Sequence, residues 1–146
     1  MWLDPDRFRL HDVTGFPLIW TGKPVRDEVN ARRWQVEMDA LIAQGSPFVI
    51  LHRVDGAEPQ EARKARMAWL KHNRRALAQL CLALVAIEAD PIRRLALETR
   101  AAIANQSYGV KTAVVASAEE GEDLAWEILF CAPSSSSGSL AVFPAE

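Results

Sequence analysis

The chain is poor in the residues from which staples and reactive centres are most often built. Its 146 residues include two cysteines, three histidines and one tyrosine. Two cysteines, Cys81 and Cys131, do not make a disulfide framework, and both fall in apolar surroundings that read as homes for buried free thiols. His11, His52 and His72 stand at no ligand spacing with one another, a cysteine or an acid, so no metal site is expected. No run approaches the roughly 20 apolar residues of a membrane span. The opening, MWLDPD, has acids where an export signal needs Lys or Arg, and it lacks an apolar stretch. A nucleophile elbow of the form G-x-S-x-G is missing, and Asp55-Gly56 is a turn signal rather than a phosphate cradle. These absences predict no cofactor and no enzyme.

What is present is an alternation of strand-like and helix-like segments. The run Phe48-Val49-Ile50-Leu51 is too short for a helix and continuously apolar, as a parallel strand covered on both faces is. Residues 58–80 then read as a helix with Ala62, Ala65, Trp69, Ala76 and Leu80 on its inner stripe, and residues 82–87 as a second buried strand. Upstream, residues 8–10 and 16–21 read as a β-hairpin punctuated at Thr14-Gly15. Apolar spacing of three and four at Ala31, Trp34, Met38, Leu41 and Ile42 predicts a helix over 27–43, closed by Gly45. Downstream, Asp90-Pro91 opens a further helix, with Ile92, Leu95, Ala96 and Ile103 as its expected inner face. A turn is expected at 105–109 and a strand at 110–115. Ser117 and Glu120 form a capping box for a last helix, which Leu124, Ile128 and Phe130 should attach to the core. Trp34, Trp69 and Trp126 are read as core, and Trp2 with Trp20 as a surface patch.

The expected fold is α/β: a mixed, mainly parallel sheet of about five strands, opened by the hairpin and accompanied by four helices, in one domain over residues 1–131. Residues 132–146, rich in serine, are expected to be a flexible tail.

Charge is segregated although the net is only −2. Between residues 53 and 75 lie Arg53, Arg63, Lys64, Arg66, Lys71, Arg74 and Arg75 against three acids; between 117 and 130 lie Glu119, Glu120, Glu122, Asp123 and Glu127 with no base. A near-neutral total and the lack of a reading motif argue against nucleic acid. Two surfaces remain as candidates. The first is the loop after the first parallel strand, where His52, Arg53 and Asp55 sit at a strand carboxyl end suited to an anionic ligand. The second is a partner-binding face on the basic helix, built by Lys64, Lys71, Arg74 and Arg75.

The phrase Pro47-Phe48-Val49-Ile50-Leu51, the stretch Arg66-Met67-Ala68-Trp69-Leu70-Lys71-His72-Asn73-Arg74 with Leu77 and Cys81, the apolar strand that follows, and Ala125-Trp126 resemble the STAS domain. The likeness is nearer to the small bacterial proteins grouped as STAS/SEC14-like, and it spans residues 8–129. The resemblance implies the fold of the anti-sigma-factor antagonists and a non-enzymatic regulatory or protein-interaction role. It also implies a cytoplasmic protein whose partner is another protein or a second copy, as a homodimer. In those antagonists a serine opens the helix after the middle strand and serves as the phosphorylation switch. Here residues 54–59 read VDGAEP, without Ser or Thr, so no phosphosite is transferred. The alternative is a small anionic-ligand binder or minor enzyme built on residues 52–55.

Overall fold

Strand residues point alternately to opposite sides, and the middle of this chain uses both sides. In the computed structural model, which describes residues 3–22, 27–54, 59–108 (104–108 in backbone only) and 111–131, the strand β3 (Phe48–Arg53) sends Phe48 and Ile50 into one apolar cluster and Val49 and Leu51 into another. Its neighbours are β2 (Leu18–Thr21) and β4 (Cys81–Ile87), both parallel to it. β1 (His11–Asp12) pairs antiparallel with β2, and β5 (Thr112–Val115) parallel with β4. The order across the five-stranded sheet is β1-β2-β3-β4-β5, so each strand lies beside its predecessor in the chain. The expected α/β class and the parallel crossover from 48–51 to 82–87 are observed, and the chain does open on an antiparallel pair, but its first strand is His11–Asp12 rather than 8–10, because the Arg9 and Leu10 amides donate to the Glu37 carboxylate instead of to a neighbouring strand.

Two helical layers cover the sheet. On one face, α1 (Glu28–Ala43), α2 (Gln60–His72) and α3 (Arg74–Leu80) bring Trp34, Met38, Leu41, Trp69, Leu70 and Leu77 against Ile19, Phe48, Ile50 and Cys81. Trp34 and Trp69 meet edge to face at 5.3 Å, and the Trp69 indole N–H donates to Asp39 Oδ1 at 2.9 Å, which clamps α1 to α2. On the other face, α5 (Ala118–Cys131) lays Ala125, Leu124, Ile128 and Leu129 over Leu18, Val49, Leu51, Ala83 and Val85. α4 (Pro91–Tyr108) packs against β5. The close approach of α5 depends on Gly121: a Cβ there would sit 3.2 Å from Leu51 Cδ2 and 3.4 Å from Ile87 Cδ1.

The helix signals in the sequence behave as expected at their starts. Asp27 accepts the Asn30 amide, Asp90 accepts the Arg93 amide at 2.9 Å, and Ser117 accepts the Glu120 amide while Glu120 reaches back to the Ala116 amide. Gly45, at φ 84°, closes α1 where a side chain would be strained. The helix count differs: the described residues form five α-helices rather than four, because the single helix expected over 58–80 breaks at Asn73. The Asn73 side-chain amide donates to the Trp69 carbonyl at 2.9 Å, taking an acceptor at the end of α2 and helping the chain to restart as α3.

Some helix faces lie opposite to the side that the apolar spacing predicts. Ile92, Leu95, Ala96 and Ile103 of α4 are exposed, and the helix instead turns Arg94, Leu97 and Ala101 inward. Arg94 is held there by donating to the carbonyls of Glu88 and Ala89. Trp126 and Phe130 stand outside the core, and Cys131 is exposed rather than buried. α4 continues through 105–108, where a turn was expected. Trp2 and the tail at 132–146 lie outside the described residues.

Replacing Gly121 by Val should force α5 off the sheet and cost roughly 1–3 kcal/mol, read as a lower urea midpoint with an unchanged m-value. Of the two thiols, only Cys131 should react rapidly with a disulfide reagent in the folded chain. Burial in the core pushes the Cys81 thiol up to about 12, so it should react only on the timescale of unfolding.

Candidate functional site

The carboxyl ends of parallel strands are where an α/β sheet presents its ligand-binding loops, most often at a switch point where strand order reverses and a crevice opens. This sheet has no such reversal. At its carboxyl end, β2 and β3 carry Trp20, His52 and Arg53 next to the start of α5. The Arg53 guanidinium lies over the Trp20 ring, 5.4 Å from its centroid, and the Trp20 indole N–H donates to Glu122 Oε2 at 3.3 Å. These contacts tie β3, β2 and α5 together. Of the three residues expected at a ligand loop, His52 and Arg53 are thus adjacent at a strand end, with Arg53 engaged by an aromatic ring, and Asp55 lies outside the described residues. Glu88, at the end of β4, is buried and accepts the Asp90 amide, helping to shape the turn into α4.

An open surface hollow lies elsewhere. It is a cleft of about 260 Å³ lined by Pro5, residues 8–14 and Gly22, and its lining includes neither His52 nor Arg53. Beneath that segment sits a buried polar cluster. Glu37, on α1, is 2% exposed and His11, on β1, is 3% exposed. The Glu37 carboxylate accepts the backbone amides of Arg9 (2.7 Å), Leu10 (3.1 Å) and His11 (3.0 Å) and the Nδ1 of His11 at 2.8 Å. Burial pushes this carboxyl up, but the His11 hydrogen bond and those from the Arg9 and Leu10 amides outweigh it, and the group ends below its ordinary value. An ionised Glu37 can only accept, which places the His11 proton on Nδ1; Nε2 then has no partner among the described residues. His11 is among the residues that line the cleft, but it is buried and its Nδ1 is committed to Glu37 on α1. The pair therefore reads as a fastener of the edge strand. One signal for it was visible in the sequence: an acid at 37, between Trp34, Met38 and Leu41 on the apolar stripe of a helix.

The second candidate surface is better developed. α2 and α3 present Lys64, Lys71, Arg74 and Arg75 to solvent, as expected, with Arg63 beside them. On the opposite side of the sheet, α5 exposes Glu119, Glu120, Glu122, Asp123 and Glu127, together with Trp126 (39% exposed) and Phe130 (80% exposed), stacked at 5.7 Å. At 100° per residue, Glu119, Asp123, Trp126 and Phe130 fall on one outward line of α5. The two charged helices pack on opposite sheet faces, so neither can neutralise the other within one chain.

Among the described residues, no group of three His, Cys, Asp or Glu could hold a metal ion, and no helix is long and apolar enough to cross a membrane. No family model, curated protein or solved structure matches the chain.

Substituting Glu37 by Ala should leave the His11 imidazole and three amides without their buried acceptor, costing roughly 3 kcal/mol, measured by urea unfolding at pH 7. Because the Glu37 carboxyl lies lower in the folded chain than in the unfolded one, its stabilisation is complete above the ordinary carboxylate value and fades as pH falls through the folded one. The fall in unfolding free energy from pH 6 to pH 3 should accordingly be smaller in Glu37→Gln than in the wild type.

Proposed function

We propose that the chain is a non-enzymatic protein-interaction or regulatory module of the cytoplasm, with a STAS-like succession of elements and no phosphoswitch serine, whose contact surface is the outer face of α5. One observation carries the reading. A stacked aromatic pair, a partly exposed Trp126 and a largely exposed Phe130, lies on the outer side of a helix that already has an inner face of Gly121, Leu124, Ala125, Ile128 and Leu129. Leaving such a pair exposed forfeits the gain from burying it, and exposed aromatics rimmed by charge are what protein contact surfaces use as anchors. The five acids around it would repel acidic surfaces and set the orientation of a basic one.

The sheet topology supports the same reading from the other direction, since its strand order has no switch point, the place where such sheets most often bind ligands. The small-ligand alternative around His52 and Arg53 has less behind it, because the cleft of about 260 Å³ lies elsewhere and is lined by neither residue.

The test is affinity capture from cells that express the chain, comparing wild type with Trp126→Ala/Phe130→Ala and with His52→Ala/Arg53→Ala. Wild type should hold a defined protein partner, the aromatic double variant should lose it by at least about tenfold, and the loop variant should keep it. Loss in the loop variant alone would move the contact to the strand ends; no retained protein with any bait would remove the interaction role.

A further inference from the structure

We infer that the acidic, aromatic face of α5 docks on the basic face of α2 and α3 of a second copy of this chain, so that copies associate head to tail. The inference rests on reading α5 as a contact face and names its partner. Three observations select that partner. First, the two faces are complementary. α5 offers Glu119, Asp123 and Glu127 around Trp126 and Phe130 with no base on the helix, and the other face offers Lys64, Lys71 and Arg75, all exposed. Lysine and arginine heads can pair with the carboxylates while also lying over the indole and phenyl rings, so one set of side chains serves both halves of the α5 face.

Second, like-with-like contacts are disfavoured. A symmetric pairing of α5 with α5 sets five acids against five, and pairing α2 with α2 sets Lys against Lys. Third, the sheet stands between the two faces, so no chain can join them internally. The joining of unlike faces is a heterologous contact, and it leaves one face of each kind open at the ends of any assembly. It therefore propagates, into a ring if the rotation closes and into an open string if it does not. A net charge of −2 leaves little overall repulsion to resist it.

Sedimentation velocity of the purified full chain from about 5 to 200 μM, at about 50 and 500 mM NaCl, tests this, because surface charge pairing weakens over that range. Wild type should show concentration-dependent association beyond the dimer that is at least about tenfold weaker at the higher salt. The variant Glu119→Lys/Asp123→Lys/Glu127→Lys should be monomeric, as should Lys64→Glu/Lys71→Glu/Arg75→Glu. A chain carrying both sets should associate again, because its two faces are complementary with signs exchanged. All six positions are exposed, and an unchanged urea midpoint for each variant separates lost contact from lost fold. A wild type that stays monomeric at 200 μM overturns self-assembly, while the capture experiment with Trp126 and Phe130 still decides the interaction role. Association that survives either reversal, or a doubly reversed chain that stays monomeric, overturns the pairing of these two faces.

Discussion

The arrangement depends on the two-sided burial of β3 and β4. Phe48, Val49, Ile50 and Leu51 are consecutive apolar residues, and because successive side chains leave a strand in opposite directions, they require a layer on each face of the sheet. That requirement is met by α1, α2 and α3 on one side and by α5 on the other. The separation of the basic and acidic helices follows from it. A basic and an acidic helix side by side on one face would have cancelled; across a two-sided sheet they remain as distinct surfaces.

A second constraint acts at the sheet's edge. β1 is two residues long and pairs only with β2, which is little to hold the N-terminal segment. Glu37 supplies the missing hold by gathering three consecutive amides and an imidazole at one carboxylate. The cost of burying the charge is offset by the number and shortness of its hydrogen bonds, and the lowered carboxyl value is the mark of that balance. On the other face, the absence of a side chain at Gly121 lets α5 approach Leu51 and Ile87. Both features serve the scaffold, and the surface of α5 is where the scaffold leaves unused binding capacity.

The parts of the fold that were legible in the sequence are those with local causes. Apolar runs at 48–51 and 82–87 mark central strands, Asp27, Asp90 and Ser117 mark helix starts, and Gly45 marks a helix end, each through chemistry contained within a few residues. The candidate surfaces were only half legible. Lys64, Lys71, Arg74 and Arg75 were expected outside and are outside, as their hydration demands. Trp126 and Phe130 were expected inside, because a large aromatic side chain at helical spacing reads as core. Helical spacing marks which residues share a face but not which face meets the sheet. Gly121 takes an inner position on α5 because it lets the helix approach Leu51 and Ile87 closely, and Leu124, Ala125, Ile128 and Leu129 share that face.

By itself, then, the sequence determined the order of the elements, their caps, the parallel crossover and the segregation of charge, since each is written in neighbouring residues. Tertiary structure alone decided that Glu37 and His11 meet, across 26 residues of chain. It decided that α4 turns Ile92, Leu95 and Ile103 outward, and that the acidic and basic helices face opposite ways. These outcomes depend on which surfaces remain to be covered once the sheet has formed, and that competition is settled between segments far apart in the chain.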